Sequence, residues 1–191
     1  MSTLRRVCVF VFYLALVAPP LRADSRLVFP RIVFQQGRFS GIAIANPTST
    51  DADVTLKAYN PDGSAFSATG VVNPRTDKIL AGAQYAKLAT EIFTPPASIT
   101  GASAQTRLWV EVTSSTDGLT GFFLEGSDTL DFLDGADLVG SGTDLLLSLV
   151  ENSDGSTTEV SVVNPGSETA NVTVDFLRKD GTLFSTLKTT V

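Results

Sequence analysis

The chain has 191 residues, no histidine and one cysteine, and its formal net charge is −6 with a sequence pI of about 4.6. Without histidine there is no imidazole for a catalytic triad or a metal site, and one cysteine forms no internal disulfide and no cysteine-rich zinc site. The acidic balance argues against nucleic-acid binding, which requires a basic surface.

The first 23 residues have the pattern of a secretory signal peptide. Two arginines precede an apolar run over residues 7–18, and two prolines follow it. The run is too short for a membrane span, which needs about 20 residues. We expect cleavage after Ala23, which predicts a secreted or cell-surface protein without a stable membrane span after cleavage. An uncleaved N-terminal anchor is the alternative.

An internal duplication organises the rest of the chain. Residues 42–68 align without gaps with residues 160–186, at a constant offset of 118 positions. The matches include an Asn-Pro pair, a Val-Thr pair and an Asp-Gly pair. Self-similarity of this kind indicates repeated structural units. We predict a complete first unit over 24–143 and a partial second unit over 144–191.

Both units carry the patterns of β-strands. Val54, Leu56 and Ala58 alternate with polar residues, and the matching stretch of the second unit alternates in the same way. An Asp-Gly turn follows each stretch, which is typical of a tight hairpin. Turn signals recur about every 8–12 residues, as in sandwiches. The predicted fold class is all-β, with immunoglobulin-like β-sandwich units of six or seven strands, one short helix and a partial second unit.

Three local predictions complete the first unit. The apolar residues of 85–93 recur at helical spacing before a Pro-Pro pair, which predicts the short helix. The stretch 108–126 reads as a hairpin. Residues 126–144 are rich in Gly and Asp and are predicted to form an irregular linker, pinned to the core by its apolar side chains.

The second unit is expected to stop after its first strands, which leaves three alternatives open. It packs back onto the first unit, giving one domain with pseudo-symmetric halves. Its strands pair with a partner chain or a second copy, because unpaired edges and apolar faces favour association. Or it is the remainder of a truncated reading frame.

The order of the motifs resembles that of uncharacterised secreted bacterial β-sandwich repeat proteins. The resemblance rests on LVFPRIVF, GIAIANPTSTDADVTLKAYNPDG, LAGAQYAKLATEIF and LWVEVTSSTDGLTGFFLEG, and it covers most of 27–191. It implies export and tandem repeats with Asn-Pro-Ser-like and Asp-Gly turns. It implies no catalytic residues.

Trp109 and Glu111 are the candidate ligand-binding residues. In the stretch LWVEVTS, Leu108, Val110 and Val112 share one face, which predicts that Trp109 and Glu111 share the opposite, polar face. An exposed Trp beside a carboxylate suits the binding of a sugar ring. The alternative is that the short helix or the second unit covers Trp109, as packing of large aromatic side chains commonly requires.

Catalysis and metal binding have weaker candidates. Glu111 and Glu125 lie on the two arms of the predicted hairpin, and a glycan hydrolase needs two carboxylates about 5–10 Å apart. Calcium prefers several oxygen ligands on a flexible loop. Acidic residues at possible calcium sites recur in the linker and before the first repeated strand: Asp128, Asp131, Asp134, Asp137, Asp51 and Asp53.

These observations predict a secreted, non-catalytic binding module for a glycan or a surface protein, without cofactor or metal. A structural spacer repeat without a ligand is the alternative. A carboxylate-based glycan hydrolase is the reading from a third class.

Overall fold

The computed structural model describes residues 25–101, 105–138, 142–147, 150, 152–153 and 156–191. The predicted signal peptide, residues 1–23, lies outside these residues, and so does Asp24. In the ranges that the structure covers, no helix has the length and apolar character that crossing a membrane requires.

Two four-stranded antiparallel sheets form the first unit. The strands are β1 (Ser25–Phe34), β2 (Arg38–Ala45), β3 (Ala52–Tyr59), β4 (Arg75–Ile79), β5 (Gln84–Leu88), β6 (Thr106–Ser114), β7 (Thr120–Ser127) and β8 (Leu133–Asp137). The first sheet has the order β1-β6-β3-β4 and the second has the order β5-β2-β7-β8. The helices are α1 (Ala89–Phe93) and α2 (Ala97–Thr100).

One hydrophobic core lies between the two sheets. β3 contributes Val54, Leu56 and Ala58, and alternate aliphatic residues of the neighbouring strand β6 lie beside them on the same face of the sheet. β2 and α1 close the core from the other side with buried aliphatic and aromatic side chains. The period-2 alternation therefore buries the predicted face of both strands. The predicted all-β sandwich is confirmed.

A bulge in β1 sets the direction of one arginine. The register with β6 shifts between Phe29 and Ile32, so Pro30 and Arg31 lie in the irregular stretch. Proline suits such a position because it has no N–H for the ladder, and a bulge turns a neighbouring side chain away from the regular alternation. Arg31 is the residue displaced in this way.

The predicted helix over 85–93 is wrong in its first half. β5 pairs with β2, with Gly41 opposite Leu88, and only Ala89–Phe93 is helical. A nine-residue window does not separate the two periods, and pairing with β2 decides for the strand. α1 begins where the Glu91 carboxylate accepts the Leu88 N–H at 2.7 Å, a bond of the capping-box type.

Two further local predictions are corrected by the sheet order. β6 and β7 follow each other closely, but they lie in different sheets and do not form a hairpin. Within the predicted linker, β7 continues to Ser127 and β8 pairs with it, so this stretch is an edge hairpin. Leu138 packs against the core. The Arg38 guanidinium lies over the Phe132 ring, with 4.7 Å between Arg38 Cζ and the ring centroid.

The second unit repeats the Asp-Gly turn of the first. Gly63 and Gly181 have φ angles of +83° and +82°, which favour glycine. The backbone N–H groups of Asn60 and Arg178 each donate to a carbonyl four residues on, at 2.8 Å in both units. The two copies of the turn therefore share the same backbone hydrogen bond.

After that turn the two units differ. In the first, residues 65–74 form one bridge and then a loop, which contains Gly70 and Pro74, before β4 pairs with β3. In the second, the chain continues directly into β12 (Leu183–Thr190), which pairs with β11 (Asn171–Leu177), the strand before the turn. Its counterpart stretch, LFSTLKTTV, has neither glycine nor proline, so nothing interrupts the ladder.

The hairpin β11–β12 is less covered than the sandwich. Before it lie two short strands, β9 (Asn152–Ser153) and β10 (Ser156–Thr157), which pair with each other. Among the described strands, β11 and β12 pair only with each other. Several large apolar side chains of the hairpin are exposed, among them Leu177, Leu183, Phe184 and Leu187.

Candidate binding groove

Trp109 lies on the predicted outer face of the first sheet, but its ring is covered. It is 9% exposed and stacks on Tyr59 of the neighbouring strand, with 4.2 Å between ring centroids and 10° between ring planes. Its Nε1–H donates to the Asn60 carbonyl at 3.1 Å. The indole is therefore a packed, hydrogen-bonded side chain, and α1 and α2 lie elsewhere in the fold.

Glu111 is also engaged within the first unit. Its Oε1 accepts from the Arg26 guanidinium, and its Oε2 accepts from the Tyr59 hydroxyl at 3.0 Å. Arg26 donates in addition to the Pro165 carbonyl of the second unit at 2.8 Å. Tyr59 thus joins the two predicted site residues, and the carboxylate holds an arginine that reaches the second unit.

The structure does not bring Glu111 and Glu125 together. Glu111 is on β6 in the first sheet, whereas Glu125 is on β7 in the second and is buried. Glu125 pairs with Arg31 at 2.9 Å and with Arg38 at 3.4 Å. Each carboxylate has its own guanidinium partners, which is the arrangement of two separate ion pairs.

A groove of about 550 Å³ lies between the two units, with Trp109 in its lining. From the first unit come the bulge of β1, the start of β6 and the turn over 61–63. From the second come residues between 159 and 169 and the end of β12. The lining includes the polar side chains of Ser161, Asn164, Ser167 and Thr169. Glu111 does not line the groove.

Glu159 crosses from the second unit to the first at this groove. Its two carboxylate oxygens pair with different guanidiniums, one with Arg31 and the other with Arg107, at 3.5 Å for Arg107. Arg31 therefore lies between the buried Glu125 and the exposed Glu159. Together with the bond from Arg26, these contacts attach the segment before β11 to the first sheet.

The wall of the groove contains one copy of each repeated motif, the asparagine of the second unit's Asn-Pro pair and the Asp-Gly turn of the first unit. Asn46 donates to the carbonyls of Thr50 and Ile79, and Asn164 donates to those of Glu168 and Val191. Of these two asparagines, Asn164 lines the groove. Its side-chain oxygen accepts the Gly166 N–H at 3.0 Å, as an Asx turn requires.

Asp62 is at the rim and belongs to the repeated Asp-Gly turn. The Ser64 hydroxyl donates to its carboxylate at 2.6 Å and the Ser64 backbone N–H donates at 2.9 Å, and these bonds lower the pKa of Asp62. Thr182 makes the same two bonds to Asp180, and the pKa of Asp180 is lowered for the same reason.

Four of the six acidic residues considered for calcium have other partners. Asp53 pairs with Lys78 at 2.9 Å, and Asp51 accepts the Ala81 N–H at 3.0 Å. Within residues 126–144, which were predicted to be a linker, Asp131 accepts from the Thr129 hydroxyl and Asp134 accepts from the Gly135 N–H. Across the described residues, no group of three or more Asp, Glu, His or Cys side chains is placed to hold a metal ion.

Sequence reasoning missed the arginines at the groove. Arg31 and Arg107 line the groove although they are far apart in the chain, and Arg38 shares Glu125 with Arg31. One signal was available at Pro30, since proline inside an apolar strand indicates a bulge, and a bulge redirects the next side chain. The partner of each arginine depends on how the two sheets and the second unit pack.

Comparison with known proteins gives a family and no function. A family model matches residues 18–183, which is most of the chain. The chain belongs to this family, described as a family of unknown function (DUF5719). A search of the curated proteins gives no match. No solved structure matches the chain. In this DUF5719 member, the groove between the two units is the candidate site.

Proposed function

We propose that the protein is a secreted or cell-surface, non-catalytic binding module whose ligand is a glycan. The observation that carries the proposal is the groove between the two units, which combines an aromatic side chain, hydroxyl and amide groups and guanidiniums. Polar groups at the edge of a mostly preformed cleft give a ligand orientation and specificity. The signal-like N-terminus supports export.

The proposal places the ligand differently from the sequence-based expectation. The stack on Tyr59 and the bond to Asn60 leave a small part of Trp109 for contact, so Trp109 acts as the floor of the groove. Glu111 acts indirectly, because it positions Arg26 at the joint between the units. In this proposal, the side chains of the second unit that line the groove make the direct contacts with the ligand.

Two features support a non-catalytic role. Glu111 and Glu125 occupy different sheets and pair with different arginines, which does not fit a hydrolytic carboxylate pair sharing one substrate. The chain has no histidine to activate a serine or threonine. A hydrolase is therefore the weaker interpretation of the same residues.

A structural repeat that associates through its strands is the second candidate, and the hairpin β11–β12 favours it. The β11 residues Val172, Val174 and Phe176 match β3 residues that are fully buried in the first unit, yet here they remain partly exposed. Apolar sheet surface of this kind promotes association with another strand or chain. A second copy of the chain is the partner that this candidate implies.

A glycan array with the purified protein tests the proposal, and two serine variants locate the site. Ser161→Trp fills the groove from an exposed position, and we expect it to abolish saturable binding. Ser185→Trp is the matched control, because Ser185 is exposed on β12 outside the groove. A blank array, or equal loss in both variants, would contradict groove binding. Concentration-dependent self-association by analytical ultracentrifugation with a blank array would favour the structural repeat.

A further inference from the structure

Two guanidiniums of the first unit converge on one carboxylate of the second. Arg31 pairs with one oxygen of Glu159 and Arg107 pairs with the other. All three side chains line the groove. Two guanidiniums around one carboxylate are the usual chemistry of carboxylate recognition in proteins. The structure therefore contains a carboxylate-binding arrangement whose occupant is a residue of the same chain.

The two sides of this arrangement differ in how firmly they are held. Arg31 is fixed from behind by the buried Glu125, whose Oε2 forms an ion pair with its Nε at 2.9 Å and whose Oε1 accepts from its Nη2 at 3.4 Å. Glu125 also pairs with Arg38. Glu159 is in contrast 54% exposed at its side chain and lies in a stretch that is not part of a strand. Exposed ion pairs are weak because water competes with them. Arg31 is therefore preorganised, whereas Glu159 is exchangeable.

A position for one carboxylate opens between Arg31 and Arg107 once Glu159 moves away. Arg31 and Arg38 then share the single carboxylate of Glu125, and Arg107 has lost the carboxylate that paired with it, although the chain as a whole is acidic. Asp62 and Glu168 also line the groove and repel a densely charged polyanion. A ligand that suits both conditions carries an isolated carboxylate between neutral hydroxyl-bearing parts.

We propose that Arg31 and Arg107 form a subsite for the carboxylate of an acidic sugar, and that Glu159 occupies this subsite until such a ligand displaces it. The inference rests on the proposed glycan-binding function and names the ligand class as uronic-acid-containing saccharides. The hydroxyl and amide side chains of Ser161, Asn164 and Ser167 favour a saccharide over an acidic peptide, because sugars require several hydrogen bonds per ring. Glu159 acts as an internal competitor in this scheme.

Calorimetric titration of the full protein with a xylo-oligosaccharide that carries a single glucuronate tests the inference, with the neutral xylo-oligosaccharide of equal length as the reference. We expect the glucuronate-bearing sugar to bind at least tenfold more tightly than the neutral sugar. Glu159→Gln removes the competitor and should tighten binding of the glucuronate-bearing sugar about tenfold. Arg107→Gln should weaken it by a similar factor. Lys188→Gln removes one positive charge from exposed β12 outside the groove and should leave the affinity unchanged.

The other outcomes separate this inference from the function on which it rests. Equal binding of both sugars, with no effect of Glu159→Gln, would overturn the carboxylate subsite and keep the glycan-binding proposal. Binding of an oligoglutamate with no binding of either sugar would overturn the saccharide class in favour of an acidic peptide. No binding of any probe by the protein or by Glu159→Gln would overturn both proposals. Matching thermal melts of all variants confirm that affinities are compared between folded proteins.

Discussion

Tyr59 and Trp109 stack face to face across β3 and β6, and the Tyr59 hydroxyl extends the contact to Glu111 at 3.0 Å. The pair covers the outer face of the first sheet at the point where the groove begins. Cross-strand aromatic pairs stabilise a sheet as well as covering it. This stack is therefore part of the stability of the first unit and also the floor of the candidate site.

Removal of the indole should destabilise the protein. We expect Trp109→Ala to lower the free energy of unfolding by about 3 kcal/mol, because it removes a covered aromatic side chain and leaves Tyr59 without its partner. Trp109→Phe keeps a ring but loses the bond to Asn60, at a cost of about 1 kcal/mol. Urea unfolding followed by circular dichroism measures both. A loss below about 1 kcal/mol in Trp109→Ala would show that the ring is not packed as described.

The duplicated asparagines should differ in their contribution to stability. Asn46 is 1% exposed and serves the carbonyls of Thr50, Ile79 and Leu80, so Asn46→Ala leaves buried acceptors unsatisfied and should cost about 3 kcal/mol. Asn164 is more accessible, and water can replace it, so Asn164→Ala should cost about 1 kcal/mol or less. Urea unfolding of the two variants compares one motif in two environments, and equal losses would contradict the difference in burial.

Glu125 should contribute more to stability than an exposed ion pair. Glu125→Gln leaves Arg31 and Arg38 without a carboxylate in a largely buried site, and we expect a loss of about 3 kcal/mol. Asp53→Asn is the matched control, because the Asp53–Lys78 pair is exposed and its loss should change the free energy of unfolding far less than the loss of Glu125 does. Thermal and urea unfolding measure the contrast. An unchanged free energy of unfolding in Glu125→Gln would show that this ion pair does not hold Arg31.

Sequence reasoning succeeded where a local period or turn decides the structure. Alternation in β3 and β6 predicted their buried faces, and the Asp-Gly pairs predicted turns with glycine at positive φ. It failed over 85–88, where a short apolar pattern fits both helix and strand and the neighbour β2 decides. The site was beyond its reach, because the covering of Trp109 and the partners of Arg31 depend on contacts between residues distant in the chain.

The carboxyls of the two Asp-Gly turns should titrate below the ordinary aspartate pKa of 3.8. A lowered pKa in the folded state means that each turn contributes stability above the unfolded pKa, and that this contribution is lost as pH falls through the folded pKa. Carboxyl NMR titration of Asp62 and Asp180 measures both values. Ser64→Ala should raise the pKa of Asp62 and leave that of Asp180 unchanged, so equal movement of both would contradict the local cause.

The hairpin β11–β12 should exchange its amide protons faster than the sandwich. Two strands without a covered face are marginally stable in water, whereas β3 and β6 are paired on both sides over a common core. We expect β11 amides to exchange within the dead time of manual mixing and β6 amides to be protected for hours. Hydrogen–deuterium exchange with mass spectrometry resolves the two regions, and equal protection would indicate that the hairpin is covered.

The Asn-Pro corner has a consequence for how this fold tolerates change in length. Asn46 donates to the carbonyl of Ile79, the last residue of β4, and Asn164 donates to the carbonyl of Val191, just after β12. Yet β4 begins after a ten-residue loop, whereas β12 begins directly after the turn. The corner recognises a backbone carbonyl and no side chain, so it holds the end of whichever strand arrives. Insertions between the Asp-Gly turn and the next strand can therefore accumulate without displacing the corner.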